Sequence, residues 1–104
     1  MFAINVALLT QKLPLTTVNN PYINQIIRSS SSVGANYRAS RRAKSNADFI
    51  NKLKIVEEEL DESLFFLELL AFFNQPQKED FGILYREGET LLKIIVASIV
   101  SSRK

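Results

Sequence analysis

The sequence predicts an all-α protein, an antiparallel up-down-up-down four-helix bundle that residues 1–104 form as a single domain. Only three glycines and three prolines interrupt the 104 residues, which favours long helices over many short strands. Apolar residues recur at spacings of three and four along most of the chain, as one face of a helix requires. The connections between these segments are short, so neighbouring helices are expected to run antiparallel.

The first helix is predicted from Phe2 to about Leu13, because Pro14 cannot continue a helix. A connection, "LPLTTVNN", follows. Asn20 then precedes Pro21, which predicts that the Asn side chain caps a helix whose first residue is proline.

The second helix is predicted from Pro21 to about Arg42 and contains the serine run of "RSSSSVGANYRASRRAK". The serine run continues an amphipathic stripe, so it is predicted to be helical. The stripe consists of Ile23, Ile26, Ile27, Ser30, Val33, Gly34 and Tyr37. Its small residues, the serines and Gly34, are predicted to form a close-packing surface. The alternative is a helix that breaks near Gly34.

The third helix is predicted to begin at Ser45, with Asp48 completing a variant of the capping box, and to end near Asn74. The fourth is predicted from about Glu79 to Ser102. Each carries a predicted core stripe. In the third helix the stripe is Phe49, Leu53, Val56, Leu60, Leu64, Leu67 and Ala71; in the fourth it is Leu84, Leu91, Leu92, Ile95, Ile99 and Val100.

The third helix has a second apolar stripe, made of Ile55, Phe66, Leu69 and Phe73. A surface helix of a monomer needs only one apolar face, so the second stripe predicts an oligomer interface. The alternative is additional core contact within one bundle.

Charge is segregated along the chain. Residues 28–54 carry seven Lys or Arg and one acid, whereas residues 57–68 carry six acids and no base. If the second and third helices are antiparallel neighbours, Arg28 lies within reach of Glu59 or Glu62, and Asn36 lies near Lys52. These side chains, Arg28, Asn36, Glu59 and Glu62, are predicted to form a structural polar network.

Four cations follow at the corner between the second and third helices: Arg38, Arg41, Arg42 and Lys44. Clustered cations bind phosphate groups without needing a particular fold, so this corner is the predicted nucleic-acid-binding site. The alternative is a solvated corner whose cations are favoured by the negative end of the second helix.

The residue types present in the chain give little support for a catalytic function. There is no cysteine and no histidine, and neither a metal-ligand pattern nor a phosphate-binding glycine loop is present. We therefore expect no enzyme activity, no catalytic residue, no metal and no cofactor. No apolar run approaches the roughly 20 residues of a membrane span, and no cation precedes Lys12 as a signal peptide would require. We expect a cytoplasmic protein without a membrane partner.

The segment "QIIRSSSSVGANYRASRRAKSNADFINKLKIVEEELDESLFFLELL" resembles bacterial four-helix bundle proteins related to 23S rRNA intervening-sequence proteins. The resemblance implies an antiparallel bundle that assembles as a homopentamer. Some members are encoded within intervening sequences of ribosomal RNA genes. A similar fold serves as the basic accessory protein of diversity-generating retroelements, which binds a reverse transcriptase and nucleic acid.

The resemblance thus implies RNA, DNA or a nucleic-acid-processing enzyme as a partner. The rival hypothesis is a structural or protein-interaction module without nucleic-acid affinity. Members of the family often carry Glu where this chain has Ala39 and Lys44, so the corner is more basic here. The family also has a Trp where this chain has Phe66.

Overall fold

The computed structural model describes residues 1–103 and contains four α-helices in these residues, which confirms the predicted fold class. The helices are α1 (Phe2–Thr10), α2 (Asn19–Ser40), α3 (Asn46–Phe73) and α4 (Lys78–Ser102), with a short 3₁₀ turn at Gln75–Gln77. At 1.5 Å per residue α3 is about 42 Å long, and the molecule measures 45 × 19 × 18 Å. α2 and α4 both pack along α3, whereas α1 packs only against α2 and α4.

α1 ends at Thr10, three residues before the predicted end at Leu13. The backbone N–H groups of Lys12 and Leu13 donate to the carbonyl oxygens three residues earlier, Leu9 and Thr10, at 3.1 Å each. The chain therefore tightens into a 3₁₀-like turn before Pro14. A residue that precedes proline is disfavoured in the α conformation, in agreement with the position of Leu13 outside α1.

The predicted Asn20 cap is wrong, because α2 already begins at Asn19. The hydroxyl of Thr16 accepts the Asn19 backbone N–H at 2.9 Å and takes the capping role. The Asn19 side chain is buried instead. Its amide donates to the Pro14 carbonyl and exchanges two hydrogen bonds of 2.9 Å with the amide of Asn74. This pair fastens the start of α2 to the end of α3.

The serine run is helical, so the alternative of a break near Gly34 is excluded. Ser29 is buried and its hydroxyl lies 2.8 Å from that of Ser63, where α2 and α3 approach closely. Gly34 does not belong to this contact, contrary to the prediction: a Cβ added there would meet no neighbouring atom within 4 Å. Periodicity identifies the face on which a residue lies, but not whether a neighbouring helix covers that face.

α3 begins as predicted. The Ser45 hydroxyl accepts the Asp48 backbone N–H at 3.1 Å, and the Asp48 carboxylate accepts the backbone N–H of Lys44 at 3.1 Å. The Asn46 side chain donates to the Ser102 carbonyl at 2.9 Å, which ties the start of α3 to the end of α4.

The core runs the length of the bundle between the helices. Most of both predicted stripes is buried or half-buried, but Val100 is 51% exposed and the prediction for it is wrong. The buried apolar side chains are Phe2, Val6, Leu9, Leu13, Ile26, Val33, Leu53, Val56, Leu60, Leu64, Leu67, Leu70, Phe81, Leu84, Ile95 and Ile99. Among residues 1–103, no helix has both the length and the apolar character that crossing a bilayer demands.

Candidate nucleic-acid interface

A basic groove of about 460 Å³, open to solvent, lies on the outside of the corner between α2 and α3. One wall consists of Ala35, Arg38 and Ala39, which share a face at the end of α2, together with Arg42 just beyond that end. The other wall comes from the turn and the first part of α3. The lining residues are Ala35, Arg38, Ala39, Arg42, Lys44, Asp48 and Lys52.

The groove is strongly cationic. Its four cations are Arg38, Arg42, Lys44 and Lys52, and its one acid is Asp48, so its formal net charge is +3. The Asp48 carboxylate accepts the backbone N–H of Lys44 at the start of α3. The first three cations are exposed and Lys52 is half-buried. The groove therefore presents solvent-exposed cations around a single carboxylate.

The predicted four-residue cluster divides between two faces. Arg38, Arg42 and Lys44 line the groove, but Arg41 does not. Arg41 and Arg42 follow Ser40, the last residue of α2, in a turn where each backbone N–H donates to the carbonyl three residues earlier, and their side chains leave this turn in different directions. Lys52 also lines the groove, although it was not among the four predicted residues.

The predicted polar network forms in part. Arg28 donates from Nη1 to Glu59 Oε2 at 3.1 Å, from Nη2 to Glu62 Oε2, and from Nε to Gln25 Oε1 at 3.2 Å. The antiparallel packing of α2 and α3 therefore brings Arg28 into contact with both of the acids that were predicted as its alternative partners. Half of the Arg28 side chain is exposed, so solvent screens these pairs and they stabilise the fold only modestly.

Asn36 does not join that network. Its side-chain amide donates to the backbone carbonyl and the hydroxyl of Ser32, both at 3.0 Å and both one turn earlier in α2. The side chain is thus satisfied locally.

The predicted interface stripe is divided in the folded chain. Ile55 and Phe73 are 37% and 49% exposed, whereas Phe66 and Leu69 are half-buried. The Tyr22 ring lies 6.1 Å from the Phe66 ring and 6.2 Å from the Phe73 ring, measured between centroids. Phe66 also packs against the core, as the alternative interpretation of the stripe expects.

Two more exposed aromatic residues were missed: Phe65 is 54% exposed and Phe72 is 70% exposed. Their spacing of seven residues places them on one face of α3, and that spacing was a usable signal. The unpartnered apolar surface of α3 is therefore larger than the predicted stripe.

Elsewhere the titratable side chains are dispersed. Residues 1–103 contain no group of three or more His, Cys, Asp or Glu that could hold a metal ion. Glu58 is exposed, and its neighbour on the same face, Glu62, pairs with Arg28. Burial raises the pKa of the Tyr85 phenol, and the negative charge of Glu68 raises it further. This pair lies in the half of the bundle remote from the basic groove.

Comparison with known proteins places the chain in a family. The family model described as 23S rRNA-intervening sequence protein matches residues 1–97. The chain belongs to this family. A crystal structure of a member of the S23 ribosomal protein family from Bacteroides thetaiotaomicron, a protein described as having unknown function, is 33% identical to it. The two superpose with a TM-score of 0.82 over 94% of this chain and 91% of the other. No curated protein matches the chain.

Membership of the 23S rRNA-intervening sequence protein family confirms the resemblance identified from residues 25–70 and extends it to α1 and most of α4. The resemblance implies Glu in other members at the positions that Ala39 and Lys44 occupy in this chain. Both residues line the basic groove.

Proposed function

We propose that this protein is a noncatalytic, oligomeric member of the 23S rRNA-intervening sequence protein family that binds RNA or DNA through the basic groove. The observation that carries the proposal is the gathering of four cations from α2, the turn and α3 around one shallow surface. Phosphate contacts supply most of the affinity in sequence-independent nucleic-acid binding, and Lys and Arg make them.

The shape of the groove supports this function. Ala35 and Ala39 contribute only methyl groups between the longer side chains of the wall, which leaves space for a phosphate to approach α2. Arg38 lies in the last turn of α2 and Arg42 lies in the turn that follows Ser40, so their guanidinium groups can contact different phosphates. A Glu at position 39 would place a carboxylate among these cations. Ala39 and Lys44 together make the groove more favourable for anions than the common family sequence.

Self-association strengthens the same function. The exposed apolar side chains of α3, Ile55, Phe65, Phe72 and Phe73, are more than a monomer needs on one helix. Family resemblance implies a homopentamer. Any closed assembly repeats the groove and sums the positive potential of its copies, which raises affinity for a polyanion through multivalency.

The test is binding of fluorescent single-stranded and duplex oligonucleotides of mixed sequence, measured by anisotropy at about 50 mM salt, within the range where phosphate contacts are weakly screened. The decisive variant changes Arg38, Arg42, Lys44 and Lys52 to Gln. The matched control changes the same number of cations outside the groove to Gln: Lys12, Lys78, Arg86 and Lys93.

We expect the groove variant to bind at least tenfold more weakly than the control variant, because both have lost four charges and only one has lost the site. Circular dichroism confirms that both are folded. Equal affinities of the two variants would show that only net charge matters, and unchanged binding by the groove variant would contradict the proposed site.

One observation favours a second function, a protein-interaction module without nucleic-acid affinity. Arg28 is neutralised within the chain by Glu59 and Glu62, so part of the charge segregation is architectural. This function predicts an assembled wild-type protein that binds no oligonucleotide even at low salt. The same anisotropy assay, with light scattering on the same sample, separates the two functions.

A further inference from the structure

The basic groove is short along the axis of the bundle. Arg28 lies on the same face of α2 as Ala35, seven residues before it, and Glu59 lies on the same face of α3 as Lys52, seven residues after it. Arg28 donates to Glu59 at 3.1 Å and also to Glu62. Seven residues of helix are about 10 Å long, so the positive surface ends about 10 Å from the lining residues of the groove.

The surface beyond that boundary is unfavourable for phosphate. Glu59 and Glu62 bring two carboxylates to it, and both are paired with the one guanidinium group of Arg28. A strand laid lengthwise between α2 and α3 would therefore run from cations onto acids. A polyanion that uses the groove crosses the corner between the two helices instead, and it contacts the protein over a short length.

A short contact favours the nucleic acid with the densest phosphates. A duplex carries one negative charge for about every 1.7 Å of its axis, whereas each of its strands carries one for about every 3.4 Å. The groove presents four cations, Arg38, Arg42, Lys44 and Lys52. On a surface of fixed length, a duplex therefore offers these cations about twice as many phosphates as one of its strands does.

The lining of the groove provides no surface on which an unpaired base could stack. Proteins that bind single strands combine cations with aromatic side chains, because each contact between a base and an aromatic ring adds affinity. None of the seven lining residues is aromatic. The side chains between the cations are the methyl groups of Ala35 and Ala39.

The aromatic side chains that lie nearest to the groove along the chain are on other surfaces. Tyr37 is 48% exposed, but it is two residues from both Ala35 and Ala39 and therefore lies about 160° around α2 from each. Phe49 follows Asp48 and packs against the hydrophobic core. The groove can therefore hold phosphates without holding bases, which suits a double helix because its bases are paired inside.

We propose that the basic groove selects double-helical nucleic acid over unpaired strands by contacting the phosphate backbone. This inference rests on the proposed function and names the class of nucleic acid that the same site takes. Duplex RNA and duplex DNA share the chemistry that the groove recognises, a double row of closely spaced phosphates. Phosphate contacts carry no sequence information, so the selection depends on strandedness rather than on sequence.

The first experiment compares four probes of one mixed sequence: a DNA strand, an RNA strand, and the corresponding DNA and RNA duplexes. Four phosphate contacts give a logarithmic salt slope of about 3.6 on a duplex and about 2.8 on a single strand. Between about 1 M and 50 mM salt, this difference in slope amounts to about tenfold in affinity. We therefore expect anisotropy at about 50 mM salt to show each duplex bound about tenfold more tightly than its own strand. The duplex that binds more tightly identifies the source, RNA or DNA.

The variants described above assign this preference to the groove. The groove variant should bind strands and duplexes about equally weakly, whereas the control variant should keep the preference for duplexes. A preference of the same size in both variants would place its origin outside the groove and would overturn the inference.

The second experiment supplies an aromatic ring to the groove. Ala35→Tyr places a phenol ring among the cations. Ala97→Tyr is its matched control, since Ala97 is also an exposed alanine inside a helix and does not line the groove. Stacking on the new ring should make Ala35→Tyr bind single strands at least fivefold more tightly. Its affinity for duplexes should not rise, because paired bases are not accessible to the ring, and Ala97→Tyr should bind all four probes like the wild type. Circular dichroism confirms that both variants are folded.

Two results would overturn the inference and leave the proposed function standing. One is a wild-type protein that binds a strand as tightly as its duplex. The other is an Ala35→Tyr variant without any gain for single strands, because the lack of an aromatic ring would then not explain the preference. Absence of binding to every probe at low salt would overturn the proposed function and the inference with it.

Discussion

Gly88→Ala is the substitution for which the structure gives the sharpest expectation for stability. Gly88 is buried in α4 where α1 and α3 both approach it. A Cβ at this position would lie 2.8 Å from Leu64 Cδ2 and 3.3 Å from Phe2 Cε1. Real Cβ atoms essentially never lie as close as 2.8 Å to a carbon, so Leu64 must move, and the 3.3 Å contact with Phe2 is also tighter than most.

The substitution has two opposing effects on the free energy of unfolding, and their magnitudes can be compared. Replacing glycine by alanine inside a helix favours folding by about 1 kcal/mol. Forcing an extra methyl group into a packed core costs about 1–3 kcal/mol. The Leu64 methyl group is the end of a flexible side chain, but Leu64 is only 6% exposed and Phe2 only 4%, so little space exists to receive it. We expect a net loss of about 1 kcal/mol, which corresponds to a fall in Tm of roughly 4–8 °C for a chain of this size.

Gly82→Ala is the internal control. The nearest atom to its added Cβ is Arg86 Nη1 at 3.7 Å, an ordinary contact with a mobile side chain. This variant keeps the helix-propensity gain without the clash, so it should be more stable than the wild type by up to about 1 kcal/mol. Urea unfolding followed by circular dichroism, at one fixed protein concentration, measures both. If Gly88→Ala and Gly82→Ala were stabilised equally, that result would refute the close approach of α1 and of α3 to Gly88.

Three further substitutions test the contacts that set the ends and seams of the helices, all by the same unfolding assay. Ser45→Ala removes the cap of α3 and should cost about 1 kcal/mol; no loss would show that the Ser45 hydrogen bond is not formed in solution. Asn74→Ala leaves the buried amide of Asn19 without its partner and should lower the free energy of unfolding by about 1–3 kcal/mol. A loss smaller than that of Ser45→Ala would contradict the buried pair. Arg28→Ala removes a half-exposed pair and should cost under about 1 kcal/mol; a loss of several kcal/mol would mean that Arg28 is desolvated in an assembly.

Local signals in the sequence were sufficient to predict most of the fold. Ser45 and Asp48 mark the start of α3 because the capping contact is made within one turn, and the buried stripe of α3 follows from spacing alone. The prediction of an Asn20 cap was wrong because the contact that decides this part of the chain is not local. The adjacent Asn19 has a partner 55 residues away, and no local pattern shows that its amide pairs with Asn74.

The candidate site was predictable in its charge but not in its geometry. The cations of the corner are visible in the sequence. The membership of Lys52 depends on how α3 leaves the turn, which is a tertiary feature. Gly34 shows the same limit, since helical spacing does not show that no neighbouring atom approaches it.

The salt dependence of oligonucleotide binding tests the central claim, the basic groove, most directly. The logarithm of the association constant falls with the logarithm of salt concentration by about 0.7–0.9 for each phosphate contact. If Arg38, Arg42, Lys44 and Lys52 all contact phosphate, changing the four to Gln should reduce that slope by about 3, while the control variant with Lys12, Lys78, Arg86 and Lys93 changed keeps the wild-type slope. The same slope in all three proteins, or no binding by the wild type at low salt, would contradict the account.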